Sequence, residues 1–209
     1  KVLFGRDFEA DARRRDFTMN ALSVNAEGQV FDYCGGLADI EAGRVRFIGD
    51  AATRIREDYL RILRLFRFHA AYGEGAIDAE GLHASIELRG GLAMLSRERI
   101  RAELMKLLLA RGATGCIESM ADCGILQMFV VGVSVPARLQ RMMALESERG
   151  LPPDAVLRLG ALAVLVAEDA ARHENHDPLS DLLSDGVDDP LADLLADEEP
   201  AETDPLATM

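Results

Sequence analysis

Asp50-Ala-Ala-Thr-Arg-Ile55-Arg-Glu-Asp-Tyr-Leu60-Arg-Ile-Leu-Arg-Leu65-Phe-Arg-Phe-His69 is the stretch on which the fold turns. Ile55, Tyr59, Ile62, Leu63 and Phe66 recur at helical spacing, and Asp50 stands where a helix N-cap belongs. The pattern predicts a helix from Asp50 to about Ala71, stopped by Gly73 and Gly75. The polar positions carry Glu57, Asp58, Arg61, Arg64 and Arg67, with Asp58 and Arg61 neighbours at i,i+3. Read blandly, this is a solvated ion-pair face worth about a few tenths of a kcal/mol.

Outward from this helix the periodicity differs on the two sides. Toward the N-terminus, Ala21–Val24 and Val30–Tyr33 flank Asn25-Ala-Glu-Gly28, a hairpin pattern with glycine at the turn. Phe8–Arg15 reads as a short helix, and Val45–Ile48 as a short strand or extended entry. Toward the C-terminus, Ser96 caps a second helix running to Ala110, with Ile100, Leu104, Leu107 and Leu108 as its apolar stripe and Gly112 as its stop. Arg99 and Glu103 sit at i,i+4 on it. Further helices are expected over Thr114–Cys123, Pro136–Glu148 and Asp154–Ala171. The fold class expected is α+β, predominantly α-helical, with a few short strands and an exposed sheet edge.

The net charge of −13 over 209 residues is misleading as a whole. Residues 173–209 hold twelve Asp or Glu and no Lys or Arg, leaving 24 acidic against 23 basic residues elsewhere. The near-neutral part is rich in arginine, so a nucleic-acid partner is not excluded. The tail repeats Asp-Pro-Leu and Asp-Leu-Leu and reads as a disordered acidic segment. No apolar run reaches the length of a membrane span. Cys34, Cys116 and Cys123 are odd in number and lack metal-ligand spacing, so they read as reduced thiols of a cytoplasmic protein. His173-x-x-His176 lies in the acidic tail and is a poor metal site.

The residues that carry chemistry come in order. Arg15-Asp16 is either a charged pair closing a helix or a phosphate and sugar clamp, since guanidinium forks onto phosphate and carboxylate accepts from a ribose hydroxyl. Asn20 is placed to bond the backbone and fix the loop holding Asp16. Asp32, Gly35 and Gly36 form a glycine turn with a helix cap. Glu103 on the second helix reads mainly as scaffold.

Arg14-Arg-Asp-Phe-Thr-Met-Asn-Ala21, followed about forty residues later by Glu57-Asp58-x-x-Arg61, resembles the tRNA nucleotidyltransferase/poly(A) polymerase family of the bacterial (class II) type. The resemblance covers roughly residues 2–130 and is clearest at 13–22, 32–48 and 54–69. It implies the C-terminal part of a nucleotidyltransferase head at 1–49, a helical neck with a nucleotide-selecting helix and RNA-binding region at 50–130, and the start of a helical body at 131–172. Residues 173–209 fall outside it. The resemblance assigns nucleotide binding to Arg15, Asp16, Asp58, Arg61, Arg64 and Arg67, with Asn20, Glu57, Asp32, Gly35, Gly36 and Glu103 in support. The Asp32–Gly36 turn corresponds to the family's joint between head and neck.

Base chemistry explains why an Asp-Arg pair suits such a role. Cytosine and adenine share an exocyclic amine beside an unprotonated ring nitrogen, whereas guanine and uracil present a carbonyl beside an N–H. Carboxylate and guanidinium together therefore accept C and A and refuse G and U. The implied activity is addition of CCA, or part of it, to tRNA from CTP and ATP with Mg²⁺. Its partners are tRNA and nucleoside triphosphates, with no membrane. A poly(A) polymerase or A-adding enzyme is the same-family alternative, and a non-catalytic RNA-binding helical module the other. The family's metal-binding Asp-x-Asp is expected upstream of this sequence, so no catalytic or metal-binding residue is assigned here, and the isolated chain is expected to be inactive. Asp7-x-Glu9-x-Asp11 is a poor substitute, lacking an apolar strand and a preceding glycine turn.

Overall fold

Phe17 is fully buried and joins the N-terminal elements to the helices. The structure, a computed structural model, describes residues 7–130 and 133–164. Helix α1 (Phe8–Arg14) is capped by the Asp7 side chain, which accepts from Ala10 N at 2.9 Å. Strands β1 (Ser23–Val24) and β2 (Val30–Phe31) pair antiparallel in the expected hairpin, with Ser23 opposite Phe31. Helix α2 (Gly36–Glu41) follows. The Val45–Ile48 stretch is extended. It makes an antiparallel bridge between Phe47 and Phe17, with Thr18 N donating to Arg46 O and Ile48 N to Asp16 O.

The helix expected from Asp50 to Ala71 is two helices. Helix α3 (Ala51–Glu57) is capped by Asp50 as read, but it ends at Asp58, whose backbone is extended at φ −159° and ψ 108°. Helix α4 (Leu60–Tyr72) restarts after it. The cause is local. Asp58 turns its side chain onto Leu60 N at 3.1 Å, satisfying a first-turn donor that α4 cannot bond internally. Ile55 on α3 and Ile62, Leu63 and Phe66 on α4 all enter one core, so a break hides in an unbroken apolar pattern.

Helix α5 (Ala79–Leu88) escapes the sequence reading. Its Asp78 cap and Ala84 are ordinary helix signals, but Gly81 weakens the pattern. A Cβ there would stand 3.3 Å from both Leu65 and Phe47, so the glycine permits close packing. Helix α6 (Arg97–Leu109) follows the Ser96 cap as expected and buries Ile100, Leu104, Leu107 and Leu108. Helix α7 (Ala113–Asp122) closes near Gly124, and α8 is Pro136–Arg149. The last predicted helix is shorter than expected. Helix α9 (Ala155–Leu162) gives way to strand β4 (Ala163–Val164), which pairs antiparallel with β3 (Val133–Ser134). Val135 N donates to Leu162 O at 2.8 Å, fixing that exit. The acidic repeat at 173–209 and the His173-x-x-His176 pair lie outside the described residues.

One apolar cluster runs from Phe17 and Phe47 through α3–α7 to Leu139 and Leu162. Ala12, Ala21 and Ile48 form a smaller one, covered by Tyr33 and Cys34. The three cysteines are free thiols. Burial pushes the Cys116 thiol up to about 12.

Candidate functional site

The arginines of α4 are each tied to a carboxylate from outside the helix: Arg61 to Glu57, Arg64 to Asp16 and Arg67 to Glu103. Asp16 is only 6% exposed. Its Oδ1 accepts from Phe17 N at 3.2 Å and from Asn20 Nδ2 at 2.7 Å, and its Oδ2 accepts from Arg64 Nε at 2.5 Å. Burial alone would raise the Asp16 pKa, but the bonds from Arg64 and Asn20 outweigh it and hold the carboxyl below its ordinary range. Asn20 thus grips the carboxylate itself, where the sequence reading had it bond the backbone. Its Oδ1 is a buried acceptor without a partner among the described residues. Arg15 is partly exposed, paired with Asp11 at 3.1 Å, and donates to Asn20 O.

Asp58 and Arg61 were expected as helix neighbours at i,i+3. The break after α3 separates them instead. Arg99 Nη2 donates to Asp58 Oδ2 at 2.7 Å, so Arg99 pairs across from α6 and not with Glu103 on its own helix. Arg61 Nη1 donates to Glu57 Oε2 at 2.5 Å and to Arg54 O at 2.8 Å. Arg61 therefore keeps Glu57 deprotonated below the usual range, and Arg54 adds to this. Arg67 Nε donates to Glu103 Oε2 at 2.5 Å, and Glu103 is buried. The Arg67 guanidinium also lies 4.4 Å from the Phe68 ring centroid, with Arg64 at 5.3 Å.

Nothing in the pattern singles out Arg54, yet it is a hub. It donates to Ile48 O at 3.0 Å, to Arg13 O, and to Glu57 from Nη1. Its position in Arg54-Ile-Arg-Glu57, i,i+3 from Glu57, is the only local signal. Asp39, which closes the Asp32–Ile40 glycine segment, is buried and accepts from Thr18 Oγ1 at 2.5 Å and from Arg46 Nε at 3.1 Å.

The glycine turn is tightly specified. Asp32 accepts from the backbone N–H groups of Cys34, Gly36 and Leu37 at 2.9–3.1 Å. These bonds hold its carboxyl below the ordinary range against the cost of burial. Gly35 takes φ +77°, and a Cβ on Gly36 would fall 2.3 Å from Thr18 O. Beside Asn20 an open groove of about 580 Å³ is lined by Met19, Ile40, Phe68, Tyr72 and Arg111.

Asp7, Glu9 and Asp11 are committed elsewhere, to the α1 cap, to Arg13, and to Arg14 and Arg15. Among the described residues no three His, Cys, Asp or Glu side chains converge as a metal site. The carboxylates of the site face arginines and backbone donors. They do not fit Mg²⁺. No helix among the described residues is long and apolar enough to cross a membrane.

Residues 1–46 match the family described as Poly A polymerase head domain, and residues 76–133 the one described as Probable RNA and SrmB- binding site of polymerase A. The chain is 38% identical over 165 residues to the mitochondrial CCA tRNA nucleotidyltransferase 1 of Mus musculus, covering 78% of this chain and 38% of that protein. It is 43% identical over 117 residues to the CCA-adding enzyme of Leuconostoc mesenteroides, covering 56% of this chain and 29% of that protein. The chain thus spans well under half the length of these relatives. A solved structure of the Bacillus stearothermophilus CCA-adding enzyme in complex with CTP aligns with a TM-score of 0.56 at 36% identity, over 59% of this chain and 31% of that one. A Thermotoga maritima CCA-adding enzyme complexed with tRNA shares the fold, with a TM-score of 0.59 at 22% identity over 85% of this chain and 50% of that one.

Proposed function

This chain belongs to the tRNA nucleotidyltransferase/poly(A) polymerase family, and we propose that the protein carrying it adds C and A nucleotides to tRNA 3′ ends. The support is twofold. The curated relatives that it matches are CCA-adding enzymes. In addition, Asp58 and Arg61 flank the start of α4, in residues 47–75 between the two family matches, and each keeps polar atoms beyond its present bonds.

Asp58 is the half of the reading pair that accepts from the amine of cytosine or adenine, and Arg61 the half that donates to the ring nitrogen. Uracil and guanine offer the opposite edge and leave both groups unpaired, a loss worth roughly 1–3 kcal/mol per good pair. Asp16 Oδ2 has a lone pair beyond its bond to Arg64, and we assign it to a ribose hydroxyl. Arg64, held by Asp16, and the more open Arg15 are assigned to phosphate. Arg67 is tied to buried Glu103, which suits the support of α4 better than substrate contact. We take residues 1–49 as part of the head, 50–130 as the neck and 131–172 as the start of the body, with tRNA, CTP and ATP as partners and Mg²⁺ as the cofactor that the family's chemistry uses.

The test is equilibrium binding of CTP, ATP, UTP and GTP to this chain, with and without tRNA lacking its 3′ CCA. CTP and ATP are expected to bind more tightly than UTP and GTP, by about five-fold or more, and Asp58→Ala to abolish the preference. Preference for ATP alone would move the protein to the poly(A) polymerase side of the family. Binding of tRNA with no nucleotide preference would make it an RNA-binding module.

A further inference from the structure

Arg97, Arg101 and Met105 recur at i, i+4 and i+8 and make one stripe along α6. This stripe is not the one that serves the candidate site, where Arg99 meets Asp58 and Glu103 meets Arg67. It borders an open groove of about 510 Å³. Leu92 and Leu95 close the groove from the 3₁₀ turn Arg89–Met94 and its C-terminal end, and Met128 and Phe129 from the turn Leu126–Met128 and its end.

We infer that this groove is a docking site for an acidic, leucine-bearing polypeptide segment of a partner protein, with its apolar side chains on the groove floor and its carboxylates on Arg97 and Arg101. The inference is independent of the nucleotide-reading role of α4.

The lining decides the class of partner. Arg97 and Arg101 are the only charged or polar side chains in it, and both are exposed. Neither forms an ion pair among the described residues, whereas Arg99 and Lys106 on the same helix each have a carboxylate. At i,i+4 their stems start about 5–6 Å apart. That spacing matches carboxylates one turn apart on an amphipathic segment, the usual occupant of an apolar groove beside a helix. The floor is aliphatic and thioether, with Phe129 as its single ring. Thioethers are unbranched and polarizable, and they re-pack around aliphatic side chains of varied shape. A small metabolite would need converging polar groups to orient it. An RNA base would need stacking rings or donors and acceptors for its edges. The groove is poor in both. Met94 lies between two lining residues in sequence and is 79% exposed, so apolar surface continues past the groove. Apolar surface rimmed by charge is the mark of an interaction site.

The experiment follows a labelled peptide of Asp-Leu-Leu-Glu repeats by fluorescence anisotropy against the full 209-residue chain, with methyl NMR of the methionines. The peptide is expected to bind and to move the Met105 and Met128 signals. Met19, which lines the separate groove beside Asn20, should stay in place. Arg97→Glu/Arg101→Glu should weaken binding by about tenfold or more, because like charges then face each other. Both side chains are exposed, so the double variant leaves the core untouched. A peptide with Lys in place of Asp and Glu should bind the double variant more tightly than the wild type, a reversal that unfolding could not produce. Ser in place of Leu in the peptide should abolish binding. Failure of the repeat peptide to bind the wild-type chain, or equal binding to the double variant, overturns the inference. So does an oligoadenylate strand that moves Met105 and Met128 and requires both arginines where the peptide does not, since the groove would then belong to RNA.

Discussion

Asp16 shows how one residue can serve both fold and ligand. It is nearly fully buried, and its ionised form is favoured by Arg64 and Asn20 despite burial. A carboxyl whose folded pKa is depressed contributes stability that is fully present above its unfolded value, about 3.9, and lost as pH falls through the folded value. The chain should therefore weaken in acid below about pH 4, and Asp16→Asn should flatten that limb while lowering stability at neutral pH. Urea midpoints between about pH 2 and about pH 6 measure it; a wild-type acid limb retained in full by Asp16→Asn would assign the effect to other carboxyls. At this scale the sequence was informative about residue type and silent about partners. Arg15, Asp16, Asn20 and Arg64 were all singled out, but the Asp16–Arg64 bond spans 48 residues. Arg99 had a nearer apparent partner in Glu103, whereas Glu103 instead receives Arg67 from α4.

At the scale of elements, local signals were readable wherever a cap and a stripe coincide. Ser96 with Ile100, Leu104, Leu107 and Leu108 defines α6 from both ends. The break between α3 and α4 was not readable, because the core face continues in phase across it. Helix α5 was not readable because close packing puts Gly81 where a helix former would stand. Glycines separate into two kinds by what surrounds them, and this is testable. Gly36→Ala drives a Cβ toward the Thr18 carbonyl at 2.3 Å, backbone that cannot step aside, and should cost about 1–3 kcal/mol. Gly115 lies within α7 with nothing within 4 Å of a Cβ, so Gly115→Ala should stabilise by about 0.5–1 kcal/mol. Thermal or chemical denaturation decides both. A Gly36→Ala variant as stable as the wild type would mean that α2 is free to shift away from Thr18.

At the scale of the whole molecule, a buried ion pair that no sequence pattern announced joins α8 to α9, and its arginine also bonds α6. Arg158 and Glu146 are 5% and 4% exposed. Arg158 Nε and Nη2 donate to Glu146 Oε2 at 2.8 and 2.6 Å, and Nη1 donates to Leu108 O at 2.6 Å. Glu146 is held deprotonated by Arg158 against the cost of its burial. Removing one partner strands the other: Arg158→Met should cost about 3–5 kcal/mol, whereas Arg158→Met with Glu146→Leu should recover much of it. Denaturant titration of the three proteins measures the difference, and a double variant no better than the single would show that Leu108 O is the contact that matters.

That Leu108 carbonyl has a practical consequence for dissecting the chain. The boundary suggested near residue 130 follows motifs, but the last turn of α6 takes its donor from α9. A piece ending at 130 would lose Arg158 from that carbonyl and Leu139 and Leu162 from the shared core. The smallest fragment that keeps α6 intact therefore ends beyond Leu162. Limited proteolysis should spare the interval between α6 and α9 as a single resistant block. Swaps between relatives that preserve the arginine network of α4 are best joined outside that interval, not at the neck's apparent end.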